Sequence, residues 1–127
     1  LGAWIGCRRH GVPLPPFADD RLFERVWPRV ERFIERAAPE FILFQCGADS
    51  LAGDPITDLQ LTHAAHAQAA RSLCAIAERC CQGRLLALGG GGYKLENLAA
   101  AWTAVVRELM GAGGAPDSGE TDPDRPV

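Results

Sequence analysis

Leu85-Leu86-Ala87-Leu88-Gly89-Gly90-Gly91-Gly92-Tyr93 decides how this chain is read. A short apolar run without alternation suits a buried strand. The strand then breaks into consecutive glycines, which carry no Cβ and tolerate φ > 0, so backbone can approach a ligand closely. The tyrosine arrives at the strand's C-terminal end, the edge where open α/β sheets place their ligands.

Working upstream, Gln82-Gly83 stops a helix that Thr62 caps and that runs to about Cys81. Before it stands a second apolar run, Phe41-Ile42-Leu43-Phe44, whose composition suits a strand covered on both faces. Two strands joined by a helix of this length form a right-handed parallel βαβ unit. Asp49, after the first strand, and Tyr93, after the second, are then expected at one crevice. Further out, Asp19 and Asp20 offer helix-capping carboxylates. Leu22, Phe23, Val26, Trp27, Val30, Phe33, Ile34 and Ala37 follow with helical period, with a kink expected at Pro28 and a stop at Pro39. Gly11 to Phe17 reads as extended lead-in. Asn97 to Met110 reads as a third helix with Leu98, Trp102, Val105, Val106 and Leu109 inward. The expected order is helix, strand, helix, strand, helix. Two strands are few for a stable sheet, which points to missing neighbours.

With 127 residues, 47% of them hydrophobic, the chain has material for one core. A net charge of -3 and no basic stripe argue against a nucleic-acid partner. No apolar run is long enough to span a membrane. The five cysteines form no C-x-x-C pair and read as small buried thiols of a reducing cytoplasm. The first residue is Leu1 rather than Met, so a piece of a longer polypeptide or an incomplete reading frame is expected. Residues 111–127, rich in Gly, Pro and Asp, read as a disordered tail after a domain portion at 1–110.

Asp49 lies in Gln45-Cys46-Gly47-Ala48-Asp49-Ser50-Leu51-Ala52-Gly53-Asp54-Pro55. A carboxylate on a turn at a strand end can hold a metal, act as a base or cap its own loop. Asp54, before a proline in a turn, reads as structural. His63 and His66 read as a partly exposed pair at a helix start, without the glutamate of an H-E-x-x-H motif. Neither phosphate-cradle glycine pattern is met. Tyr93 can donate to a developing oxyanion or simply pack with a wet hydroxyl.

Together these stretches resemble the C-terminal part of the arginase-like zinc deacetylase family. That family includes histone deacetylases, acetoin utilisation proteins of bacteria and acetylpolyamine amidohydrolases. The resemblance spans roughly Val12 to Met110. It rests on Gly47 to Pro55 with Leu59-Gln60-Leu61-Thr62, and on Gly89 to Tyr93. Val12-Pro13-Leu14-Pro15-Pro16 and Trp102-Thr103 add support. It implies a truncated segment of a three-layer α/β fold with a parallel sheet. Asp49 matches the last of three zinc ligands, and Tyr93 the tyrosine that polarises the acetyl carbonyl. Ile56 matches an apolar position at the rim of the acyl channel, and Gly91 and Gly92 glycines of its wall. The implied chemistry is attack of zinc-bound water on an N-acetyl amide of lysine or a polyamine.

The family's tandem histidines and its Asp-x-His zinc ligands have no counterpart in this sequence. One carboxylate is too few for a catalytic zinc site. The chain alone is therefore expected to be inactive and to need the N-terminal half of the domain. Without it, the sheet is expected to expose a long edge and an apolar face. A non-catalytic binding module that docks through that edge is the alternative reading.

Overall fold

In the computed structural model, residues 2–5 and 8–111 are described, with side chains from Gly11 onward. The expected central unit is present. Strand β3 (Ile42–Gln45) pairs in parallel with β4 (Leu85–Leu88), Ile42 opposite Leu85 and Gln45 opposite Leu88, and α2 (His63–Cys81) joins them. Helix α1 (Asp20–Ala37) precedes the unit and α3 (Leu95–Gly111) follows it. The third helix thus starts two residues before the expected Asn97. Gly111, expected in the tail, closes it; 112–127 lie outside the described residues.

The chain opens not with a helix but with an antiparallel pair, β1 (Gly2–Ile5) and β2 (Arg8–Gly11). Arg8, Arg9 and His10 supply no apolar alternation, so this hairpin leaves no periodic signal in the sequence.

Caps fix the helix starts. The Asp19 carboxylate accepts from the Leu22 N–H at 3.0 Å, and the Thr62 hydroxyl accepts from the Ala64 N–H at 3.2 Å. Asp20 then ties the two helices together, accepting from both the N–H and the hydroxyl of Thr62. Ala38 and Gln82 end α1 and α2 in left-handed conformation. Helix α1 runs through Pro28 as one element, with the proline on its exposed side. Phe23, Trp27, Val30 and Ile34 form its buried face. The Phe23 and Trp27 rings stack at 5.0 Å, and the indole N–H donates to Ser72 Oγ on α2 at 2.8 Å. Arg71 of α2 makes a two-pronged ion pair with Glu108 of α3.

All three helices contribute to clusters on one side of the two-stranded sheet. Ile42, Phe44 and Leu85 join the core of α1 and α2, and Phe44 and Ala87 join Ala70, Val105 and Leu109. The other side is bare: Leu43 is 67% exposed, and Leu86 and Leu88 are 48% and 44% exposed. The expectation that the first strand is covered on both faces is therefore corrected. Its apolar composition is that of a doubly covered strand, yet the described residues supply helices to one face only. The expected apolar face is present. Cys46, Cys74 and Cys81 are buried free thiols and Cys80 is half-buried, while Cys7 lies outside the described residues. No described helix is long and apolar enough to cross a membrane.

Candidate functional site at the strand ends

Parallel pairing brings the ends of β3 and β4 to one edge, and the two loops that follow interlock there. The first loop opens with a single 3₁₀ turn, Ala48–Ser50, that carries Asp49. Ala48 and Leu51 are buried against Ala101 and Leu98 of α3, so this loop has its own apolar anchor. Thr57 Oγ1 donates to the Asp49 carbonyl, which fixes the backbone beneath the carboxylate. The second loop, Gly89 to Tyr93, leans on the first. Gly91 O accepts from the Ala48 N–H at 3.1 Å, and Gly90 O accepts from Gln45 Nε2 at 2.9 Å.

Two glycines are required by this interlock. A Cβ on Gly47 would lie 1.8 Å from the Gly90 carbonyl oxygen. At Gly91, φ is +78° and a Cβ would lie 2.8 Å from both Cγ and Oδ2 of Asp49. Gly91 therefore lies directly against the Asp49 side chain, while Gly92 packs on Ala48 and Leu98. Among the described residues no donor reaches the Asp49 carboxylate, which is half-buried. Tyr93 is 64% exposed and Ile56 67% exposed. A cleft of about 400 Å³ lies between α1, α2 and β3, lined by Phe23, Trp27, Phe44, Gln45, Asp49 and His66 among others. It takes in Asp49 but not Tyr93, Ile56, Gly91 or Gly92.

One residue departs from its sequence reading, and a second does more than that reading gave it. His66 is not partly exposed: it is 7% exposed, and its Nε2 meets the Gly47 carbonyl oxygen at 3.0 Å. That carbonyl requires a donor, so the proton sits on Nε2. Nδ1 is buried without a partner among the described residues. The signal was its helical spacing from Ala69, Ala70 and Leu73, which puts it on the buried side of α2. His63 is exposed. Asp54 is structural as expected, but it is also buried and reaches across to the second loop. Its Oδ1 accepts from the Ile56 N–H at 2.9 Å and its Oδ2 from the Tyr93 N–H at 2.8 Å. Burial pushes its carboxyl up, but the N–H groups of Tyr93, Ile56 and Thr57 outweigh that and hold it below the usual aspartate value.

A histone deacetylase domain matches residues 7–109. The chain belongs to the histone deacetylase family. It is 38% identical over 92 residues to Histone deacetylase 6 of Arabidopsis thaliana, covering 72% of this chain and 18% of that protein. It is 38% identical over 86 residues to a probable deacetylase of Archaeoglobus fulgidus, covering 67% and 24%. Among solved structures it is similar to the HDA15 HD domain, with a TM-score of 0.69 and 25% identity over 82% of this chain and 28% of that one. The histone deacetylase Clr3 gives a TM-score of 0.68 at 26% identity. The α/β fold is thus that of part of a deacetylase domain, and the chain spans less than a quarter of the two relatives named first. Members of this family act on acetylated substrates and are generally zinc-dependent.

Asp49 offers a metal one carboxylate. Among the described residues no group of three His, Cys, Asp or Glu side chains is placed to hold an ion. The described residues do not by themselves fit a catalytic zinc, which takes three protein ligands.

Proposed function

We propose that this chain is the part of a deacetylase domain that supplies one metal-binding carboxylate, Asp49, and the oxyanion donor, Tyr93. Residues 1–111 belong to that portion, α3 closing it at Gly111, and 112–127 lie outside the described residues. The remaining ligands and the proton-transfer groups come from an N-terminal portion of the domain. The single observation behind this reading is the contact of Gly91 with the Asp49 side chain, at the edge where Tyr93 emerges. A bound zinc would supply Lewis acidity. This chain's own residues would do the rest of the work assigned here. Asp49 presents its carboxylate from a turn whose backbone Thr57 and His66 hold. The Tyr93 phenol donates to the amide oxygen as negative charge develops on it. Gly91 and Gly92 leave room for a narrow acyl group, and Ile56 lies at the rim. The substrate class is an N-acetyl amide of lysine or a polyamine. A cytoplasmic setting, with neither nucleic acid nor membrane as partner, completes the reading.

Mixing the chain with a separately expressed N-terminal half of a deacetylase domain tests this. Zinc-dependent release of acetate is expected, with Asp49→Ala abolishing it and Tyr93→Phe lowering it by about 100-fold. A complex that forms and hydrolyses acetyl-lysine and acetylpolyamine equally well with Tyr93→Phe would remove the proposed role of the phenol.

The bare face of Leu43, Leu86 and Leu88 favours a second reading, a non-catalytic module that docks a partner there. It predicts a complex with the N-terminal half that has no amidase activity at any zinc concentration.

A further inference from the structure

Asp54 has no part in the proposed chemistry, yet among the described residues its carboxylate is the one side chain that joins the first loop to the backbone of Tyr93. Its bond to Ile56 spans two residues and is a common local turn. Its bond to the Tyr93 N–H spans 39 positions and is not local. A carboxylate buried to 7% exposure needs such donors, because burial without them is costly. Among the described residues the bond to Asp54 is the one hydrogen bond of Tyr93, which stands two residues before α3. The residue is 64% exposed, and the glycines before it have φ of +143°, +78° and +101°, a backbone with no side chains of its own to pack. A phenol can stabilise an oxyanion only from a fixed position, so what fixes the Cα of Tyr93 governs the donor's aim.

We propose that Asp54 is a positioning residue that sets Tyr93 and Ile56 from one carboxylate, so that the oxyanion donor, the channel rim and the Asp49 loop keep a fixed relation. This rests on the reading of Tyr93 as the donor. Asp54→Asn keeps the size of the side chain and one acceptor oxygen. Either its amide nitrogen faces the Tyr93 N–H, donor against donor, or it flips and loses Ile56.

The chain's single tyrosine makes a direct test possible. With ¹⁵N-tyrosine and ¹³C-aspartate labels in the full chain, Tyr93 gives the only labelled amide. It should show a coupling across the hydrogen bond to an aspartate carboxyl carbon that Asp54→Asn abolishes or redirects. Amide exchange at Tyr93 should speed at least about tenfold in the variant, the open loop no longer being protected. Absence of that coupling in the folded wild-type chain overturns the brace, and no variant is needed to see it. So does an unchanged Tyr93 exchange rate in folded Asp54→Asn. In the reconstituted enzyme, Asp54→Asn should lower kcat by about 10- to 100-fold with KM within about twofold. Asp54→Glu should recover part of that loss. An equal loss in Asp54→Asn and Asp54→Glu, in step with lost protein stability, would reduce Asp54 to a fold residue. Should the enzyme show no activity in any form, the reading of Tyr93 fails while the coupling still decides the brace.

Discussion

The two loops at the strand ends are held in opposite ways. The loop after β3 is anchored by apolar burial, with Ala48 and Leu51 sunk against α3 and its backbone stapled to Leu61. The loop after β4 sinks no side chain of its own, although Gly89 and Gly92 lie against Trp102 and Leu98 of α3. The hydrogen bonds of Gly90, Gly91 and Tyr93 run to the first loop or to the end of β3. One loop is part of the core, and the other takes its hydrogen bonds from the first and from the end of β3. An exposed, glycine-rich loop can thus be rigid without burying a side chain, provided its neighbour is rigid.

The comparison breaks most severely at the anchor. Leu51→Ala should cost about 2–5 kcal/mol in urea unfolding and loosen both loops together. If amide exchange then rises in the first loop while Gly90 to Tyr93 stay protected, the dependence described here is wrong. Next comes Gly91→Ala, which adds a Cβ at positive φ and against Asp49, at a cost of about 1–3 kcal/mol. Its disturbance should stay in the second loop and at Asp49, read as amide shift changes that leave α1 and α2 untouched. Gln45→Ala removes the bond to Gly90 O and the one from the Gly47 N–H, both near the surface. About 1 kcal/mol is expected, with exchange raised at Gly90 to Tyr93 only.

The smallest effect is that of acid. Asp54 titrates lower in the folded chain than its ordinary 3.8, so its contribution is complete above that value and fades as pH falls through the folded one. Below about pH 4, the second loop should lose amide protection before the helices do, and Asp54→Asn should remove that early step.

How far the sequence foretold this depends on the kind of signal. The βαβ unit was legible because Thr62, Gln82-Gly83 and the two apolar runs act locally: caps, stops and strand composition need no partner to be read. The bare sheet face was legible only through resemblance to a longer domain, since Leu43 and Leu86 look the same whether or not a helix covers them. The β1–β2 pair was not legible, its second strand being Arg8-Arg9-His10-Gly11. Of the site, Asp49 and the glycine run could be placed at one edge from topology. The bonds from His66 to Gly47 and from Asp54 to Tyr93 could not, because each joins residues whose separation in sequence says nothing of their distance.

The hold of Asp54 on the Ile56 N–H has a consequence for divergence. The bond fixes the main chain at Ile56 and does not involve its side chain, the residue being two-thirds exposed. Residue 56 can therefore be exchanged for a larger, smaller or polar one without moving the peptide that carries it. Within such a frame, the side chain shown to solvent can drift by point mutation while the geometry beneath it is inherited intact.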